Sequence, residues 1–395
     1  MCNQTRRIGP QAATPAQGQT TGTHGNMSFA TPPSSSPASV GAAPGNATQP
    51  APSTASLAAV LIWLWGSAAL VFAMALIGAI TRLTESGLSI MEWNLLAGTF
   101  PPLSEAEWLR VFDEYKLTGE YQKQHLGALS MEGFKQIFWW EYIHRLWGRL
   151  IGMAFLAGLA VFAVARFRGR WPQLAWLMPH AVFGFVLICF QGFLGWYMVS
   201  SGFDTDLIDV SAYRLAAHLS LAVIILLYFV GLGVRAQSGT LPFSAGHWLN
   251  LPTALLVLVL ATLVSGAFVA GLNAGLVYNE FPTMGEGLVP PDYRSSLSLL
   301  RNPFENPVAA QFHHRIFASV TVLLVAIFAV IVARRAGPGP VQFWALAALL
   351  AVVGQYLLGV VTLLYAVPIP LGAAHQGGAL ILLMSITLWR AHNNG

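Results

Sequence analysis

Four histidines, His144, His218, His314 and His375, each fall a few residues inside the start of a long apolar stretch. An imidazole is costly inside a bilayer unless it faces a cavity, a proton path or a metal, so four in matching places need one shared cause. Neutral imidazole is a strong axial ligand for haem iron, and cofactor sites in helical bundles are built from facing helices. Paired axial ligation of two haems is the chemistry this spacing points to. Glu141 stands three residues before His144, on the same helical face, where the matching position of the second half holds Gln311. A carboxylate near a haem edge can move protons or stabilise a developing cation, and a neutral amide cannot; the plainer alternative is a solvated acid at the outer end of a helix. Arg145 and Arg315 each directly follow a candidate ligand, with Arg149 one turn on. Their guanidinium groups suit bidentate pairing with haem propionates, or ordinary snorkelling at the membrane interface.

These side chains need a scaffold, and the composition dictates its class. Of 395 residues, 55% are hydrophobic and 9% charged, with a mean hydropathy of +0.60, whereas soluble domains carry about 25% charged residues. Apolar runs of roughly 20 residues, enough to cross a bilayer, occur near 57–80, 140–165, 171–198, 212–234, 249–270, 312–333, 341–366 and 371–390. The expected fold is therefore an all-α integral membrane protein with eight transmembrane helices. The net charge of +4 is scattered over helix ends (Arg166, Arg168, Arg170, Arg235, Arg334, Arg335, Arg390) rather than gathered in a patch, which argues against a nucleic-acid partner. With Arg6 and Arg7 ahead of the first span, the positive-inside bias places both termini in the cytoplasm, and Asp204, Asp206 and Asp209 on the other side. Residues 8–56 contain no Asp, Glu, Lys or Arg and are rich in Pro, Ala, Ser and Thr, so a disordered tail over 1–56 is expected. The first span is expected to serve as an uncleaved signal anchor. Cys2 and Cys189 provide no disulfide framework, and Cys189 is expected to be a small buried residue.

The second four spans repeat the first four. GAITRLTESGLSIMEWN at 78–94 lies over GAFVAGLNAGLVYNEFP at 266–282 without a gap, EYIHRLWGR at 141–149 over QFHHRIFAS at 311–319, QGFLGW at 191–196 over QYLLGV at 355–360, and AAHLSLAVIILL at 216–227 over AAHQGGALILLM at 373–384. His144 thus answers to His314, and His218 to His375. His313 falls about 100° around the helix from His314 and is expected to be peripheral, as are His24, His125, His180, His247 and His392. Because each half has an even number of spans, the expected architecture is two four-helix bundles related by a pseudo-twofold axis along the membrane normal. The N-terminal bundle spans 57–235 with an outer loop at 81–139, and the C-terminal bundle spans 236–395 with an outer loop at 271–311. All four histidines then lie toward the outer, periplasmic side. Gly148, Gly152, Gly192, Gly195 and Trp196 offer room for a flat macrocycle between helices, although small residues at helix contacts are common. Where the halves differ, the first carries Arg82, Glu85 and Glu92 against Ala270, Asn273 and Glu280, charges that could order a pocket or merely sit in a loop.

RLTESGLSIMEWN at 82–94, PPLSEAEW at 101–108, SMEGFKQIFWWEYIHRLWGRLIG at 130–152, GLVYNEFPTM at 275–284 and QFHHRIFA at 311–318 resemble the haem A synthase family of mitochondria and related bacteria. The likeness runs from residue 57 nearly to the end. It implies an oxidoreductase of the bacterial inner membrane that converts the haem O ring methyl to formyl, by two hydroxylations and loss of water, to give haem A for terminal oxidase assembly. It further implies His314 and His375 as ligands of a resident haem b, and His144 and His218 as ligands of the substrate haem, with Glu141 as the acidic residue before the first ligand. Haem O is the implied substrate, with a haem O synthase and an electron-transfer protein as partners, and a homo-oligomer is compatible with the family. The chain departs from some bacterial relatives in having no cysteine pair in its outer loops.

A dihaem b-type electron-transfer cytochrome linked to quinol is the main competing reading, and a non-catalytic haem carrier is another. A wire across the membrane would place haems near both faces, whereas these four histidines share one depth. A duplicated transporter would need broken or polar helices at the midplane, where only His180 and Gln191 qualify.

Overall fold

The computed structural model describes residues 54–93, 97–203, 208–238 and 250–393. The tail expected to be disordered lies outside these residues up to position 53, with Cys2, Arg6, Arg7 and His24; so do Asp204, Asp206 and His247. Among the described residues, eight helices are long and apolar enough to cross a membrane. They are α1 (Thr54–Leu83), α3 (Met131–Phe167), α4 (Leu177–Val199), α5 (Ala212–Ser238), α6 (Leu251–Gly271), α8 (Pro307–Arg335), α9 (Pro340–Leu364) and α10 (Ile369–Asn393). Helix is the state that closes every backbone hydrogen bond within the segment, which hydrocarbon demands. Their starts are marked by polar caps and proline. Ser130 accepts from the Gly133 N–H, Asn250 from the Thr253 N–H ahead of α6, and Asn306 from the Val308 N–H with Pro307 in the first turn of α8.

Helices α1, α3, α4 and α5 pack in a closed ring, each on the next, and α6, α8, α9 and α10 form a second such ring. The rings meet where α1 lies on α10, α5 on α6 and α5 on α10. Packed on four neighbours, α5 carries the richest buried face, from Val223 through Phe229 to Val234. Helix α4 packs chiefly on α3 and α5, and much of its surface, Cys189 included, is exposed. Cys189 is therefore not the buried residue its apolar surroundings suggested.

Three helix starts differ from the apolar runs; α4 begins at Leu177 rather than near 171, because Pro172–Leu174 form a separate turn. Helix α3 begins at Met131 and α8 at Pro307, earlier than the hydropathy boundaries near 140 and 312. The α3 extension is aromatic rather than aliphatic, and it packs against the outer segment. That segment is not a plain loop: α2 (Glu105–Tyr115) opens with a capping box between Ser104 and Glu107 and is followed by a five-residue π turn, Tyr121–His125. Phe112, Tyr115, Tyr121, Phe134, Phe138 and Tyr142 make one buried aromatic cluster, with Phe134 stacked on Phe112 at 4.8 Å and Trp108 edge-on to Phe138 at 4.8 Å. The Tyr142 hydroxyl donates to the Thr99 carbonyl at 2.6 Å. In the second half the short helix α7 (Asn302–Glu305) and the turn around Tyr293 occupy the corresponding stretch before α8.

Candidate functional site

The four histidines come from the second and fourth helix of each ring: His144 on α3, His218 on α5, His314 on α8 and His375 on α10. Each ring packs against a glycine of a neighbouring helix. A Cβ on Gly78 would lie 3.0 Å from His144 Cε1, one on Gly195 3.1 Å from His218 Cε1, one on Gly266 3.0 Å from His314 Cε1, and one on Gly359 2.7 Å from His375 Cε1. Real Cβ contacts this short force a neighbour to move, so the four glycines are the space the imidazoles occupy. His144 and His218 thus stand on two helices of the first ring, and His314 and His375 on two helices of the second.

The second ring nitrogen of a metal-binding histidine is normally held by a partner that sets its orientation. His144 Nδ1 lies 3.3 Å from Thr81 Oγ1 and His314 Nδ1 2.9 Å from Ser265 Oγ. Gln191 Nε2 sits 3.1 Å from His218 Nδ1 and donates to the His218 carbonyl at 3.0 Å. Gln355 repeats the arrangement on His375, at 3.1 Å from Nδ1 and 2.8 Å from the carbonyl oxygen. Both glutamines leave a buried Oε1 without a partner.

Glu141 is buried, and four donors saturate it. Ser89 Oγ donates to Oε2 at 2.7 Å and the Ile90 N–H at 2.8 Å, while Arg145 donates to Oε1 from Nε at 3.0 Å and from Nη2. Arg145 also donates to the Ile90 carbonyl at 2.6 Å and the Glu92 carbonyl at 2.8 Å, and stands over the Trp93 ring. The second half repeats this clamp with the charge removed. Arg315 donates to the carbonyls of Tyr278 at 2.8 Å and Glu280 at 2.9 Å, the positions matching Ile90 and Glu92, and Gln311 Nε2 donates to the Tyr278 carbonyl at 2.9 Å. Both arginines, expected to reach propionates, are thus engaged with the outer segments, which they tie to α3 and α8.

The charges peculiar to the first half also have structural partners. Arg82 donates to the Ala270 carbonyl at 2.9 Å and to Asn273 Oδ1 at 2.8 Å, and pairs with Asp209 at 3.3 Å, which links the end of α1 to the end of α6. Glu92 accepts from Arg110 at 2.8 Å. The outlying histidines have other partners: His180 Nδ1 lies 3.0 Å from the Tyr228 hydroxyl and Nε2 3.2 Å from Arg235, His313 contacts the Ala309 carbonyl at 2.7 Å, and His392 the Leu388 carbonyl at 2.8 Å. His125 is brought toward Glu85 and Glu120. Of the glycines expected to make room, Gly195 meets a histidine, whereas Gly148 faces Met74 at 3.5 Å, Gly152 faces Ile188 at 4.0 Å, and nothing lies within 4 Å of Gly192.

Sequence reasoning did not single out Gly78, Gly266, Gly359, Gln191, Gln355, Thr81, Ser265 and Ser89 for the site. A signal existed for five of them. Gly78 matches Gly266, Gly195 matches Gly359 and Gln191 matches Gln355 within the aligned segments, so identity between the halves marks the histidine supports. Thr81 and Ser265 are not at matching positions and carried no such mark.

A family model described as cytochrome oxidase assembly protein, COX15-CtaA, matches residues 61–387. The chain is 45% identical over 348 residues to a heme A synthase of Rhodospirillum centenum, covering 88% of this chain and 91% of that protein. It is 40% identical over 334 residues to a heme A synthase of Parvibaculum lavamentivorans, covering 85% and 94%, and 40% identical over 366 residues to heme A synthase COX15 of Bos taurus, covering 88% and 84%.

Proposed function

This chain belongs to the COX15-CtaA family of cytochrome oxidase assembly proteins and is a haem A synthase, and from that premise we propose which half does the chemistry and how. It is an oxidoreductase of haem and an integral membrane protein. In our reading His144 and His218 bind haem O as substrate, and His314 and His375 hold a resident haem b. The glycine cradles and the paired imidazole donors suit a flat macrocycle bound from both faces, in both halves. The two rings of helices, with α1 on α10 answered by α5 on α6, support halves at 57–235 and 236–395 related by a pseudo-twofold axis. With the termini cytoplasmic, both haem sites lie toward the periplasmic side of the inner membrane.

The single observation that carries the assignment of roles is the asymmetry at one repeated position, a saturated carboxylate at Glu141 against the amide of Gln311. In this reading the substrate methyl takes an oxygen from water in each of two steps, to hydroxymethyl and then gem-diol, each step releasing two electrons and two protons to the electron-transfer partner and solvent. The gem-diol then loses one water to give formyl, and positive charge develops at that carbon as electrons leave. A carboxylate that already accepts from Ser89, the Ile90 N–H and Arg145 is fixed in place. It therefore acts by its charge, a preorganised stabiliser rather than a mobile base. His314 and His375, oriented by Ser265 and Gln355, would hold the resident haem b, which when bound would supply one-electron redox capacity. An electron-transfer partner removes those electrons, and a haem O synthase delivers the substrate.

The test is to purify the chain after coexpression with a haem O source and to separate the extracted haems by chromatography. Haem b together with haem O or haem A is expected; haem b in both halves with no haem A formed would instead make the protein an electron-transfer cytochrome. A second expectation follows from the cradles. Gly359→Val drives a side chain into His375, whose Cε1 already sits 2.7 Å from an ideal Cβ, so the variant should lose haem b, seen as a drop in the Soret band, while substrate haem is retained. A Gly359→Val protein with a full haem b complement would show that the cradle does not set ligand position.

A further inference from the structure

Away from the histidine pairs, Glu85, Glu120 and His125 converge so that one ligand atom of each lies within 4.8 Å of the other two. They arrive from separate places. Glu85 sits in a left-handed turn after α1 with φ 52°, Glu120 precedes the π turn after α2, and His125 ends that turn. Glu120 is only 3% exposed, yet its Oε2 has no hydrogen-bond partner among the described residues. The Tyr115 hydroxyl, wholly buried beside it, likewise closes no hydrogen bond of ordinary geometry. Burial, with Glu85, Glu141 and Asp209 nearby, pushes the Glu120 carboxyl up to about 8 against the pull of Arg82. Arg82 is itself engaged by Asp209, Asn273 and the Ala270 carbonyl, so the cluster is short of positive charge.

We propose that Glu85, Glu120 and His125 bind one divalent transition-metal ion of the zinc type. Two carboxylates balance a dication, and the imidazole favours a zinc-like ion over magnesium or calcium, which prefer all-oxygen shells. Ligand atoms about 2.0–2.2 Å from zinc sit roughly 3.4 Å apart, so the site closes by small rotations of the exposed Glu85 and the half-buried His125 onto the buried Glu120. The orphaned Glu120 oxygen then gains the partner it lacks. The ion ties the end of α1 to the turn after α2, across a span of chain whose Ser89 and Ile90 hold Glu141. It is a staple on the outer segment of the first half, and the second half, with Asn273 at the position of Glu85, has no equivalent carboxylate there.

The haem-loaded full chain in detergent, stripped with EDTA and titrated with Zn2+ alone, tests this by calorimetry and by metal analysis after gel filtration. One more zinc per chain is expected in the parent protein than in His125→Ala or Glu120→Gln, with affinity at least about ten-fold weaker in each variant. His125→Ala removes a half-buried side chain at the end of a turn, so its unchanged haem spectrum reports an intact fold. Equal zinc binding by parent and His125→Ala, or no zinc bound by the parent, overturns the proposal. Competition by Mg2+ at the same concentration as Zn2+ overturns the assignment to a transition metal.

Discussion

Glu141→Gln should bind haem O and haem b at normal levels yet form haem A about 10² to 10³ times more slowly, the usual loss when one preorganised charge-stabilising group is removed. The substitution keeps the side-chain volume and an oxygen that can accept from Ser89 or the Ile90 N–H. Arg145 keeps its bonds to the carbonyls of Ile90 and Glu92. In the second half Arg315 keeps its two contacts to loop carbonyls beside an amide, with Gln311 donating to the Tyr278 carbonyl. A large loss of activity is therefore expected without collapse of the outer segment. Single-turnover conversion of bound haem O, followed by chromatography of extracted haems, separates rate from binding. Normal conversion by Glu141→Gln would remove the charge-stabilising role, and Gln311→Glu serves as the control that should leave the rate unmoved.

The second large effect distinguishes the halves by what they hold. His314→Ala should be isolated almost free of haem b, because in the proposed assignment it removes one of the two imidazoles, His314 and His375, that would hold that group. His144→Ala should retain haem b with its six-coordinate spectrum, lack substrate haem and form haem A at least about 100 times more slowly. Haem content per chain and visible spectra of the two purified variants provide the comparison. If both variants lose the same haem in the same proportion, the division into resident and substrate sites is wrong.

Much of this was legible in the chain. Apolar runs give the eight spans because hydrocarbon leaves the backbone no other partner than itself, and the repeat of EYIHR over QFHHR marks His144 and His314 as equivalent positions. The family motifs carried the expected chemistry. Less legible were the edges: α3 starts earlier than hydropathy suggests because Phe134 and Phe138 answer to the aromatic cluster of the outer segment rather than to lipid. Cys189 is exposed because α4 lies at the margin of its ring, a matter of neighbours that no local pattern records.

What the sequence determined by itself is the membrane class, the duplication, the four candidate ligands and the contrast between Glu141 and Gln311, since each depends on residue type and on spacing along one helix or between repeats. What only the tertiary structure decided is the state of those groups. Ser89 and Ile90 reach Glu141 from 52 and 51 positions back along the chain and fix its carboxylate in place. Arg145 and Arg315 close the outer segments instead of standing free, and Glu85 meets Glu120 and His125 from a separate stretch of chain. Hydrogen bonds and charge pairing act through space at contact distance, so their outcome belongs to the packing of helices and loops and not to any one segment.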